Sequence, residues 1–81
     1  MFTALRRFMI ANKMITLYRQ RNYDGLTRFW PVFLTYRAED IKAVVTKAST
    51  VLAQHSPAEH EMFMGDLVIR GVVDNEGVWK V

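Results

Sequence analysis

The sequence predicts a small α+β domain with elements in the order helix, strand, helix, helix and C-terminal β-hairpin. Three observations carry this reading. Apolar residues recur at helical spacing from Thr3 to about Asn22 and again from Ile41 to Leu52. Phe29 to Tyr36 reads FWPVFLTY, short and rich in β-formers with a proline inside. The chain then closes on two short apolar runs around Asp74 to Gly77.

In the first helix, Ala4, Phe8, Ala11, Ile15 and Tyr18 form a stripe, with Ile10, Met14 and Leu17 beside it and Arg6, Asn12, Lys13, Thr16, Arg19 and Gln20 opposite. Thr3 suits an N-cap, and Asp24-Gly25 supplies the glycine expected just past a helix end. Met14 to Arg21 also fits the first strand of a hairpin turning at Asn22 to Gly25. For Phe29 to Tyr36 a strand is expected, because Pro31 breaks helices and forces Trp30 to an extended backbone. Lacking an N–H, Pro31 confines that strand to an edge, or itself to a strand start.

Glu39 and Asp40 open the next helix, where the dipole favours anions, and Ile41, Val44, Val45, Ala48, Val51 and Leu52 carry it to about Gln54. Ser56-Pro57-Ala58-Glu59 has the pattern of a capping box with proline at the first helical position. The helix it starts ends either at Gly65 or, through Asp66 to Arg70, at Gly71. Val72 to Val81 then reads as two short strands joined at Asp74 to Gly77.

The order of elements resembles the winged-helix architecture, LVIRGVVDNEGVWKV taking the place of last helix turn, strand, wing and strand. The rival layout is a ββαββ sandwich of one helix on a sheet. In a DNA-reading winged helix the helix from Pro57 would enter the major groove. Its first turns carry Glu59 and Glu61, and the wing tip holds Asp74 and Glu76, so repulsion from phosphates opposes that use. Leu17-Tyr18-Arg19 is similar to the tripeptide of the LYR family of mitochondrial assembly factors. That family is helical, with a long helix continuing past the tripeptide. Asp24-Gly25 would end such a helix within two turns, and the expected C-terminal strands have no place in it, so the resemblance is set aside.

Eighty-one residues suit one domain, 1–81, burying about 60 to 65% of the surface that unfolding exposes. There is no cysteine, which excludes disulfides and thiolate chemistry and fits a reducing, cytoplasmic setting. No apolar run reaches the length of a membrane span, so no membrane partner is expected. The first 23 residues are acid-free and amphipathic, like an organelle transit peptide, but their removal would leave a much thinner core. His55 and His60 are five apart across a helix cap, which does not make a zinc pair, and no metal or cofactor is expected. Ser49 and Ser56 lack a nucleophile setting, and the glycines at 25, 65, 71 and 77 are scattered, so no enzyme is expected.

The net charge of +3 hides an asymmetry. Residues 1–37 carry seven cations against Asp24 alone, giving +6, and residues 38–81 carry four cations against seven acids, giving −3. The basic part also holds eight of the ten aromatics: Phe2, Phe8, Tyr18, Tyr23, Phe29, Trp30, Phe33 and Tyr36. Phe8, Phe29 and Phe33 are expected in the core. Arg19, Arg21, Tyr23 and Arg28 are left without a folding role, and they form the expected contact surface. The expectation is a non-enzymatic protein-binding module, an inhibitor, adaptor or regulator of the scale of phage and mobile-element accessory proteins, docking on a larger partner. The alternative is nucleic-acid binding through the basic, aromatic part. Either is compatible with a homo-oligomer.

Overall fold

A computed structural model describes residues 3–81, leaving Met1 and the aromatic Phe2 outside the described residues. Four helices follow one another: α1 Ala4–Arg19, α2 Tyr23–Phe33, α3 Ala38–His55 and α4 Pro57–Ile69. Among the described residues there is no strand, only an isolated antiparallel bridge between Val73 and Trp79. The fold is therefore all-helical. The α+β expectation, the winged-helix layout and the ββαββ alternative are all overturned.

Thr3 caps α1 as its sequence implies, its hydroxyl accepting from the Arg6 N–H at 3.2 Å. Ala11, Met14, Ile15, Leu17 and Tyr18 are buried while Asn12, Lys13, Thr16, Arg19 and Gln20 face water, so the stripe has the expected direction. Phe8 departs from it, at 46% exposed. The helix ends in a Schellman motif, with the Arg21 N–H on the Tyr18 carbonyl at 3.1 Å and the Asn22 N–H on the Leu17 carbonyl at 2.9 Å. The left-handed position in it belongs to Arg21, φ 51°, rather than to a glycine. No long helix thus continues past Leu17-Tyr18-Arg19, although the C-terminal strands that also counted against the LYR resemblance are absent.

Asp24-Gly25 starts α2 rather than ending α1. Asn22 is the N-cap, its side-chain oxygen accepting from the Gly25 N–H at 2.9 Å, and Asp24 sits in the first turn. A Cβ at Gly25 would lie 2.6 Å from Leu17 Cδ2, so the missing side chain lets α2 start tight against α1.

The FWPVF segment is the end of α2, not a strand. Trp30 and Phe33 are buried with Leu26 at spacings of four and three, whereas Pro31 and Val32 are exposed. Proline inside a helix costs about 3 kcal/mol. Burying a large apolar side chain returns about 1.5–3 kcal/mol, and two aromatic rings and a leucine go inward here. Pro31 and Thr27, whose carbonyl is deprived of its helical donor, are both exposed residues.

α3 follows its sequence pattern, with Ile41, Val44, Val45, Ala48 and Leu52 inward. Ser56 ends α3, its N–H on the Leu52 carbonyl at 2.8 Å, and also precedes Pro57 at the start of α4. One residue serving two helices has its backbone set by the sharp turn, φ −148° and ψ 66°, and its hydroxyl makes no capping bond. Glu59 does not complete a capping box either; it reaches Arg21. α4 runs through Gly65 to a second Schellman motif, with Gly71 at φ 77° and the Val72 N–H on the Leu67 carbonyl at 2.9 Å.

The C-terminal segment turns where expected, at Asp74 to Gly77. The Asp74 carboxylate accepts from the Glu76 and Val78 N–H groups, both at 2.9 Å. The return makes too few pairs for strands, and it closes Val72 and Val73 over the core. α1 is the centre of the packing, touching α3 most extensively and α2 and α4 as well.

Candidate functional site

Two cations of the basic part reach acids on α3 and α4, and a third, Arg37, lies 3.6 Å from Glu39 two residues on. Arg7 Nε of α1 donates to Asp40 Oδ1 of α3 at 2.7 Å, where the Asp40 side chain is only 2% exposed. Arg21 donates through Nε and Nη2 to Glu59 Oε2 of α4, at 3.1 and 2.7 Å. That hydrogen bond raises the Arg21 pKa, so the group remains cationic. The charge asymmetry of the sequence is therefore partly cancelled by the fold.

Tyr18 joins three elements. Its hydroxyl donates to Asp66 Oδ2 at 2.5 Å and accepts from Trp30 Nε1 at 3.0 Å. Burial, and then the bond to Asp66, raise its pKa well above the ordinary tyrosine value, against a smaller opposing effect of the Trp30 donor. The Tyr18 ring packs edge-on against Phe63, with centroids 5.2 Å apart. Between α3 and α4, Ser49 Oγ lies 3.1 Å from His60 Nε2. Among the described residues, no three His, Cys, Asp or Glu side chains gather where they could hold a metal.

Outside this interior, α1 and α2 border a hollow of about 510 Å³. Ile10, Lys13 and Leu17 line it from α1, and Arg28, Phe29 and Val32 from α2. A second hollow, about 670 Å³, continues along α1 past Leu5, Arg6 and Met9, and shares Ile10, Lys13 and Tyr36 with the first. The two make one groove with an apolar floor. Among the described residues its lining holds no aspartate or glutamate.

The four residues singled out in the sequence have separate places. Arg28 lines the groove, and Arg21 is in the ion pair with Glu59. Arg19 borders a different hollow with Thr16 and Gln20. Tyr23, the first residue of α2, is 60% exposed. The residues that accompany Arg28 are Lys13, Val32, Leu5 and Met9, which sequence reasoning did not single out. Gly25, Arg28 or Phe29, and Val32 recur three to four residues apart, so they share a stripe only if this segment is read as a helix.

Most aromatic faces are engaged. Phe29 stacks on Phe33 with centroids 5.3 Å apart and meets Trp30 edge-on. The Lys47 ammonium lies 4.7 Å from the Phe8 centroid, and that of Lys42 lies 6.0 Å from Trp79. No family model, no curated protein and no solved structure matches this chain. Among the described residues no helix is long and apolar enough to cross a membrane.

Proposed function

We propose that this protein is a non-enzymatic binding module that acts by occupying the surface of a larger protein partner through its α1/α2 face. The observation that carries the reading is the groove: apolar floor from Ile10, Leu17, Phe29 and Val32, cations from Lys13 and Arg28, and no acid among the described residues that line it. Leu5, Met9 and Val32 are 67, 62 and 56% exposed and extend the apolar area along the same face. Contiguous exposed apolar surface rimmed by polar groups marks interaction sites on small proteins. The engaged rings favour a protein partner over single-stranded nucleic acid, because base stacking needs open ring faces.

The test is affinity purification with the parent chain, the double variant K13E/R28E and the single variant R19E. A stoichiometric protein is expected with the parent and with R19E, and its loss with K13E/R28E. Retention of nucleic acid alone, with log affinity falling by about 0.9 per log unit of salt for each phosphate neutralised, would overturn the reading.

A further inference from the structure

The charges of the groove and the acids left over elsewhere in the chain together identify the chemistry of the occupant. We infer that the groove receives an acidic amphipathic helix of the partner, about 12 residues long, with its apolar face down and its carboxylates toward Lys13 and Arg28. This inference rests on the protein-binding reading above.

Length is the first argument. From Leu5 to Leu17 the groove follows α1 for about 18 Å at 1.5 Å per residue, which is a little over three turns of an occupying helix. Helix-in-groove recognition places apolar anchors at spacings of three and four into such a trough. Along α1 the trough offers apolar contacts at Leu5, at Met9 and Ile10 one turn on, and at Leu17 two turns beyond, with Lys13 at the turn between.

Charge is the second. Among the described residues Lys13 and Arg28 have no acidic partner, and Lys13 stands where the two hollows meet, so a carboxylate brought in by the occupant has a cation at mid-groove. Like charge across such a contact costs affinity, which excludes basic helices.

A foreign helix suits the groove better than a second copy of this chain. The acidic part of the protein is poorly placed to serve as the occupant. Of the seven acids of residues 38–81, Asp40 is buried against Arg7, Glu59 is held by Arg21, Glu39 lies 3.6 Å from Arg37, Asp66 is bonded to Tyr18 and Asp74 is tied into its own turn, which leaves Glu61 of α4 and Glu76 of the C-terminal turn. α4 spends Glu59 and Asp66 on contacts that hold the fold together, which leaves Glu61 as its one exposed carboxylate, too few to meet both Lys13 and Arg28.

The experiment measures binding of the full chain to a fluorescein-labelled 14-residue helical peptide with leucines at spacings of three and four and glutamates flanking them. Controls are the same composition scrambled, the peptide with lysine for every glutamate, and a single-stranded 14-nucleotide DNA. Scrambling or charge reversal of the peptide is expected to weaken binding about tenfold or more, equivalent to about 1.4 kcal/mol. K13E/R28E should lose the glutamate peptide and gain the lysine peptide, a reciprocal change that misfolding does not produce. Equal binding of the scrambled peptide, tighter binding of the DNA, or self-association of the parent that K13E/R28E abolishes in sedimentation would each overturn the inference. If the peptide fails while a protein still co-purifies in a groove-dependent way, the acidic helix is wrong and the binding module stands. Failure of both removes the module reading as well.

Discussion

On the side of α1 that meets α3 and α4, Arg7 and Tyr18 spend their polar atoms within the molecule, on Asp40 and on Asp66 and Trp30. On the side that borders the groove, Lys13 is exposed and has no acidic partner among the described residues, and neither has Arg28 across from it on α2. The same helix thus carries cations of two kinds. A count of charges treats them alike, although one kind holds the fold and the other is left for something outside it. The two kinds respond differently to substitution.

The largest effect is expected at Arg7. R7A leaves the Asp40 carboxylate buried without its partner, and breaking a buried pair this way costs about 3 kcal/mol, here at the low end because Arg7 itself is 35% exposed. For a domain of this size that lowers the melting temperature by more than about 10 °C. K13A, by contrast, should change stability by less than about 0.5 kcal/mol. Thermal melts of the two variants side by side test the distinction, and equal losses would erase it.

Y18F comes next. It removes one oxygen that satisfies two groups, leaving the Trp30 N–H and the Asp66 carboxylate short of a partner, for a loss of about 2 kcal/mol in urea unfolding. The loss should also depend on pH. The folded-state pKa of Tyr18 is raised, so its contribution is fully present below the unfolded tyrosine value of about 10 and declines as pH rises above it, because the unfolded chain then releases its proton more readily. The parent should therefore lose stability above about pH 10 more steeply than Y18F. Parallel curves for the two proteins would show that Tyr18 is not the group responsible.

Much of the interior could be read from the chain. The helical spacing of Ala11, Ile15 and Tyr18 and of Ile41, Val44, Val45, Ala48 and Leu52 places the inward faces of α1 and α3 correctly, and Pro57 marks the start of α4. α2 could not be read in this way. Its aromatic and β-branched residues and Pro31 all argue locally for a strand, and only the burial of Trp30 and Phe33 against the other helices outweighs that preference. The groove was hidden for the same reason, since Arg28 and Val32 line up only on a helix. The Arg7–Asp40 and Arg21–Glu59 pairs join residues 33 and 38 positions apart, and no local pattern announces them. Composition could place cations in one half of the chain, but not say which were already spoken for.

Arg21 lies between the two kinds of cation, and a glycine there separates its two roles. Its backbone is left-handed, a conformation that disfavours any side chain with a Cβ, while its guanidinium is exposed and bonded to Glu59. R21G relieves the first and removes the second, and it also makes the unfolded chain more flexible. An exposed ion pair is weak and is screened by salt, whereas backbone preference is not. The melting temperature of R21G should therefore lie within about 4 °C of the parent at low salt, and the difference should move in favour of glycine at about 1 M salt. E59Q, which loses the pair but keeps the strained backbone, should fall below the parent at low salt and approach it at high salt. If R21G is instead far less stable at both salt concentrations, the side chain of Arg21 holds α4 against the α1/α2 turn by contacts that salt does not weaken, and Arg21 belongs with Arg7 among the residues that maintain the fold.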